Sequence, residues 1–193
     1  MKQIKIKIVM NETELQKEMQ ALHFDNYDLK QLKLVHQALS THTIYACYET
    51  LQTLENTDNC DYVMSVTMGA DVDELLDDYT NRDELGLSYI CHCLCMLFLQ
   101  KAYAKAIAAL EVQEKIKITS FSFAGDDNNC SDLKELLAHL PGCGIKCNDQ
   151  MMLIPSKSVI MLLKCIQDTA CPSIHNTNSC AFCKKPCQFY HTD

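Results

Sequence analysis

The chain has 193 residues, with 25 acidic against 17 basic side chains and a formal charge of −8. That is the length of one domain, or of one domain with a small appendage, and it can bury a sizeable core. No basic stretch accumulates, which argues against nucleic acid and anionic membrane surfaces as partners.

Residues 2–9 alternate Ile4, Ile6 and Ile8 with Lys5 and Lys7, the period of a strand with one buried face. The same segment has no apolar leader core. Asn11 can cap a helix running to Ala21, with Leu15, Met19 and Leu22 on one side. A second helix from about Asn26 uses Leu29, Leu32 and Val35 and fades near Ser40. Segment 42–54, rich in Thr, Ile and Tyr, and segment 62–67, alternating Tyr62, Met64 and Val66, are predicted strands. Gly69 ends the second. A helix over 71–79 follows, with Val72, Leu75, Leu76 and Tyr79 on one face. Its other face carries Asp73, Glu74, Asp77 and Asp78. That face reads as a solvated helix surface, with docking of a basic partner as the alternative.

Residues 83–110 form the longest predicted helix. Its first half is apolar nearly all round, so it should be central and buried, and Lys101 and Lys105 mark where it meets solvent. Its apolar region 85–99 is interrupted by Ser88 and His92 and is shorter than the roughly 20 residues that span a bilayer. It contains Cys91-His92-Cys93-Leu94-Cys95. On a helix only Cys91 and Cys95 of these share a face, so they are expected to pack as small apolar side chains rather than to hold a metal.

Segment 116–123 is a predicted strand and 124–129 a polar loop. Ser131 or Asp132 caps a helix over Leu133, Leu136, Leu137 and Leu140, which Pro141-Gly142-Cys143-Gly144 stops. Two short apolar runs, 151–154 and 159–163, flank Pro155-Ser156-Lys157-Ser158. Apolar runs bounded by turn chemistry read as buried strands, with Pro155 at a strand end or bulge. Neighbouring strands with short connections favour antiparallel pairing. The fold class is α+β: a mainly antiparallel twisted sheet with packed helices. Segments 62–67, 116–123, 145–154 and 158–165 are expected in one sheet, with the 83–110 helix packed on it.

The chain carries 13 cysteines. An odd count without a leader is expected of reduced thiols in a cytoplasmic protein. Residues 1–170 read as the folded domain and 171–193 as a cysteine-rich tail. Cys180, Cys183 and Cys187 form C-x2-C-x3-C in turn-forming sequence, with Cys171 or His191 as a fourth ligand. Thiolates at such gaps can wrap a zinc ion or an iron–sulfur cluster, and the spacing does not choose between them. Unligated thiols are the other reading.

Four stretches then carry a resemblance. Thr67-Met68-Gly69-Ala70-Asp71-Val72-Asp73 is similar to a "T-l-G-x-x-v-d" turn into a helix. Residues 118–127 stand where a "R-F-S-P-G-Y-G-D" loop would be. Residues 144–159, ending in MMLIPSKSV, match "G-v-x-L-T-E-S-x-M-l-x-P-x-K-S-V", and 180–190 match a terminal "C-x-x-C…C-x-Y". In this order they resemble the activation domain of vitamin B12-dependent methionine synthase, in its stand-alone bacterial form, over about residues 55–193. The resemblance implies an activation-domain fold and an accessory role. A cobalamin-binding methyltransferase or corrinoid protein would be docked in trans. Its oxidised cobalamin would be reduced by an electron donor protein and remethylated from S-adenosylmethionine. It also implies a ligand loop containing Phe121, Ser122, Gly125 and Asp127. The metal set of the tail would be Cys171, Cys180, Cys183 and Cys187, an all-thiolate group suited to redox work.

Two family positions differ. Ser120 stands in place of the arginine that would grip a ligand carboxylate, and Gly125 in place of the tyrosine. S-adenosylmethionine is therefore expected to bind weakly or not at all. Two other readings follow: a docking or scaffold subunit that has lost this ligand, and a small zinc-binding module. A complete methionine synthase is not expected, because no folate or homocysteine domain and no D-x-H-x-x-G-like cobalamin-ligating motif is recognisable.

Overall fold

The computed structural model describes residues 1–21, 29–51, 60–125 and 133–166. Strands β1 (Lys2–Ile6), β2 (Ile44–Thr50), β3 (Tyr62–Thr67), β4 (Lys117–Phe123) and β7 (Ser158–Ile166) form one sheet in the order β1-β2-β3-β7-β4. Every pairing in it is antiparallel. Helices α1 (Glu12–Ala21), α2 (Leu29–Thr41), α3 (Ala70–Asn81) and α4 (Leu85–Glu114) lie between these strands in the chain, and α5 (Leu133–Ala138) follows β4. The protein is thus a mixed α and β fold with an antiparallel sheet and packed helices.

Strand alternation sends successive side chains to opposite faces, and here both faces are covered. Met64, Val66, Met161 and Leu163 join the α4 side of the core. Val63, Ile160 and Leu162 join a second cluster with Leu133, Leu136 and Leu140 of the α5 region. Along α4, Ile90, Leu94, Phe98 and Leu110 are at most 1% exposed. Each such side chain contributes about 1.5–3 kcal/mol of burial, which makes α4 the central helix its composition predicts. Its apolar length would also suffice to cross a membrane, but in this fold half of that stretch is spent on the sheet and on α2 and α3.

Local chemistry explains several boundaries. Asn11 and Glu14 form a reciprocal capping box: the Glu14 amide donates to Asn11 Oδ1 (2.9 Å), and the Asn11 amide donates to Glu14 Oε2 (3.0 Å). Lys115, at φ 55°, ends α4 in the left-handed region. Glu111, 6% exposed, accepts the Ile118 amide at 2.9 Å, where the β4–β7 register shifts between Ile118 and Ser120. A buried carboxylate thereby satisfies the strand at its bulge.

One expected strand is corrected. Segment 145–154 does not enter the main sheet. It folds back as the two-residue strands β5 (Lys146–Cys147) and β6 (Leu153–Ile154), paired only with each other. Asn148 causes this. Its Oδ1 accepts the amides of Gln150 (3.0 Å) and Met152 (2.8 Å), and its carbonyl accepts that of Met151 (3.1 Å). Such an Asx turn competes with strand pairing, and Met151 adopts φ 59° within it. Met151, Met152 and Ile154 consequently remain 44%, 58% and 51% exposed, so the first apolar run is not a buried strand. Pro155 sits between β6 and β7, after a cis peptide bond. The caps expected at Ser131 or Asp132, and the whole tail, lie outside the described residues.

Candidate functional site at one end of the sheet

β3 ends, β7 begins and β4 runs out at the same end of the sheet. Thr67 lies opposite Ser158, and Phe123 opposite Met161. The Ala124 amide continues the ladder to the Ile160 carbonyl at 2.9 Å, which brings Gly125 towards the start of β7. Three of the stretches singled out in the sequence, 67–73, 118–125 and 144–159, therefore converge here. The fourth, 180–190, lies outside the described residues.

The junction is closed by polar contacts. Ser158 Oγ donates to Thr67 Oγ1 at 2.8 Å, and both residues are buried. The same Thr67 oxygen accepts the Gly69 amide at 3.2 Å. Gly69 has φ 92°, and a Cβ there would stand 2.5 Å from Asp71 Oδ1, so the turn into α3 requires glycine. Asp73, in the first turn of α3, accepts both the amide and the hydroxyl of Ser156, each at 2.7 Å. Asp71 is held by His42 Nδ1 at 2.5 Å. The Met68 amide donates to the Lys157 carbonyl at 3.0 Å.

Lys157 is the least expected member. It is only 6% exposed, and its ammonium stands 3.0 Å from His92 Nδ1 on α4. An ammonium has no acceptor, so the ring accepts through Nδ1 and carries its proton on Nε2. Burial, and then the nearby Lys157 charge, hold the His92 pKa below the usual histidine range. The Lys157 charge also acts on three α4 thiols, Cys91, Cys93 and Cys95. Cys91 and Cys95 are fully buried and hydrogen-bonded to one another. That bond lowers the Cys91 pKa against the opposing effect of burial, with further help from Lys157. The Cys95 pKa is pushed up by the same bond and by burial. Burial also raises that of Cys93. Lys157 stands in the turn Pro155-Ser156-Lys157-Ser158, where the sequence alone gives it no role. A lone lysine between serines at the mouth of an apolar strand was the available signal.

The residues expected to form a ligand loop are placed as follows. Phe121 packs on the α4 side, 6.0 Å between ring centroids from Tyr103 and 5.6 Å from Phe123. Ser122 is exposed and pairs with Leu162, whose side chain faces the α5 cluster. Phe121 and Ser122 thus point to opposite faces of β4. Gly125 has φ 93° with open space around it among the described residues. Ser120, at the expected arginine position, is exposed on edge strand β4. Asp127 and the tail residues Cys171, Cys180, Cys183 and Cys187 lie outside the described residues. Among the described residues no group of three His, Cys, Asp or Glu side chains is arranged to hold a metal ion.

This arrangement supplies a fixed cation, paired hydroxyls and a turn locked to a helix. Compared with protein-family models and with curated protein sequences, the chain matches none.

Proposed function

We propose that this protein is an accessory factor of the methionine synthase activation-domain type. It would dock a cobalamin-binding methyltransferase or corrinoid protein in trans and support its reductive reactivation in the cytoplasm. The observation that carries this reading is the convergence of three separated, resemblance-bearing stretches on one end of the sheet. Segments 67–73, 118–125 and 144–159 are far apart in sequence, yet Asp73–Ser156 and Thr67–Ser158 join two of them directly. A shared surface is what docking requires, whereas unrelated look-alike strings have no reason to meet.

When bound to the partner, the corrinoid supplies the redox and methyl-carrying chemistry. In this reading an electron donor protein delivers the electron, and the present chain contributes the docking end built on α3, the start of β7 and the end of β4. S-adenosylmethionine does not fit as well. Exposed Ser120 offers no charge to a ligand carboxylate, and Lys157, turned to the α4 side, does not replace the arginine. No step is therefore routed through that ligand. The same observation favours a second reading, a docking subunit without ligand chemistry. A metal centre on Cys171, Cys180, Cys183 and Cys187 remains a proposal carried by their spacing alone.

The test is anaerobic. A corrinoid methyltransferase lacking its own activation domain is poised as cob(II)alamin with a low-potential donor protein, with and without this chain and S-adenosylmethionine. Faster loss of the cob(II)alamin paramagnetic signal with recovered methyl transfer supports the reactivation reading. Complex formation without recovery supports the docking subunit. Neither complex nor recovery overturns both. Calorimetry with S-adenosylmethionine and metal analysis of anaerobically purified protein complete the comparison.

A further inference from the structure

We propose that an exposed apolar face of α4, with the acidic rim beside it, docks a basic amphipathic helix of a partner protein. The inference stands apart from the corrinoid reading, because it names only the chemistry of the partner segment. Leu85, Tyr89, His92 and Met96 follow one another at i, i+4, i+7 and i+11, so they share one line of the helix. All four are exposed, and Leu85, Tyr89 and Met96 keep 65%, 55% and 55% of their surface open. Further along the same line Tyr103 is buried and packs on Phe121 and Phe123 of β4. The open line is therefore about three turns, or roughly 16 Å, long. Single exposed apolar side chains are ordinary on a protein surface, whereas a continuous line of them marks a contact surface.

The rim gives the charge of the partner. Asp73, Asp77 and Thr80 share one side of α3 at i, i+4 and i+7. Thr80 Oγ1 meets Ser88 Oγ of α4 at 3.1 Å, and Asp73 holds Ser156. Asp77 stands between these two contacts and so borders the apolar line, and Asp83 and Glu84 directly precede it in the chain. All three carboxylates are exposed and enter no ion pair among the described residues. Of the nearby cations, Arg82 is bonded to Asp78 at 3.3 Å and Lys157 is buried. From Thr67 to Gln100 the chain holds seven acidic residues against one basic residue. Acids before α4 also favour its dipole, but the dipole does not account for the apolar line behind them. A helix with aliphatic side chains at matching spacing, flanked by lysine or arginine, fits both features. Apolar contact along the line supplies affinity, and opposite charge supplies orientation and encounter rate.

The experiment uses the full reduced chain and a fluorescein-labelled model helix with leucine on one face and lysine on the other. Anisotropy should show saturable one-to-one binding that weakens as salt is raised. The same peptide with glutamate in place of lysine should bind about tenfold more weakly or not at all. Leu85→Ser/Met96→Ser and, separately, Asp77→Asn/Asp83→Asn/Glu84→Gln should each weaken the lysine peptide by about tenfold or more. Thermal unfolding should be unchanged in both variants, because these side chains are exposed. No saturable binding, equal binding of the glutamate peptide, or an unchanged affinity in either variant overturns the proposal. Sedimentation of the chain alone adds one more arm: a dimer that Leu85→Ser/Met96→Ser disperses would assign the face to a second copy and overturn it as well.

Discussion

Replacing Asp73 by alanine tests whether the turn before β7 is held to α3 as described. Asp73 accepts two hydrogen bonds from Ser156, to its amide and its hydroxyl, both at 2.7 Å. Hydrogen bonds to a charged acceptor contribute about 1.5–3 kcal/mol when well buried. These are solvent-accessible, so about 0.5–1.5 kcal/mol each is the better figure. The carboxylate also sits in the first turn of α3, where the helix dipole adds a few tenths. The sum predicts a loss of about 1.3–3.3 kcal/mol for Asp73→Ala, or roughly 3–13 °C in Tm for a chain of this size. Ser156→Ala removes the hydroxyl bond but keeps the amide one, and should cost about 0.5–1 kcal/mol. In the Asp73→Ala background the Ser156 change should cost almost nothing, giving a coupling of about 0.5–1 kcal/mol. Urea unfolding of the four proteins measures all three quantities, and hydrogen exchange at the Ser156 amide reports the local opening. An Asp73→Ala cost under about 0.5 kcal/mol, or a Ser156→Ala cost equal in both backgrounds, would refute the clamp and remove the main support for a joint surface.

Glu111→Ala should cost about 2–3 kcal/mol in urea unfolding, because it leaves the Ile118 amide unpaired at the β4 bulge. Gly125→Tyr should destabilise by about 1–2 kcal/mol, since φ 93° suits glycine alone, whereas Ser120→Arg on the exposed edge should stay within about 0.5 kcal/mol of the parent. Calorimetry on Ser120→Arg should show S-adenosylmethionine binding roughly 10-fold tighter than the parent if the loop retains the ligand site. The Glu114 carboxyl is held below the usual range first by Lys2, then by the Tyr48 hydroxyl. Its folded pKa is depressed, so its contribution is present above the unfolded value and is lost as pH falls through the folded one. Lys2→Met and Tyr48→Phe should therefore flatten the acid limb of a stability–pH profile.

Much of the fold was legible because periodicity reports burial directly. Segment 62–67 is a strand as its alternation predicts, and 71–79 and 83–110 correspond to α3 and α4 with small shifts at their ends. Asn11 caps α1 through local chemistry that needs no tertiary context. Segment 145–154 misled because its apolar residues suggested a strand while Asn148, three residues earlier than the run, decided the geometry. An Asx turn is a local competitor to the ladder, and only its success in the folded chain shows which wins.

The candidate site was legible as strings but not as a place. Thr67, Asp73, Gly125, Ser156 and Ser158 each stood in a recognisable stretch, but strand order alone brings them to one end of the sheet. Strand order is a product of long-range pairing, which no local pattern encodes. The same holds for Lys157. Its sequence neighbours are two serines, whereas its spatial neighbours are His92, Cys91 and Cys95, more than 60 positions away. Helical spacing alone puts Cys91 and Cys95 on one face. Only the tertiary fold, which buries Lys157 against His92 of α4, brings its charge to act on them.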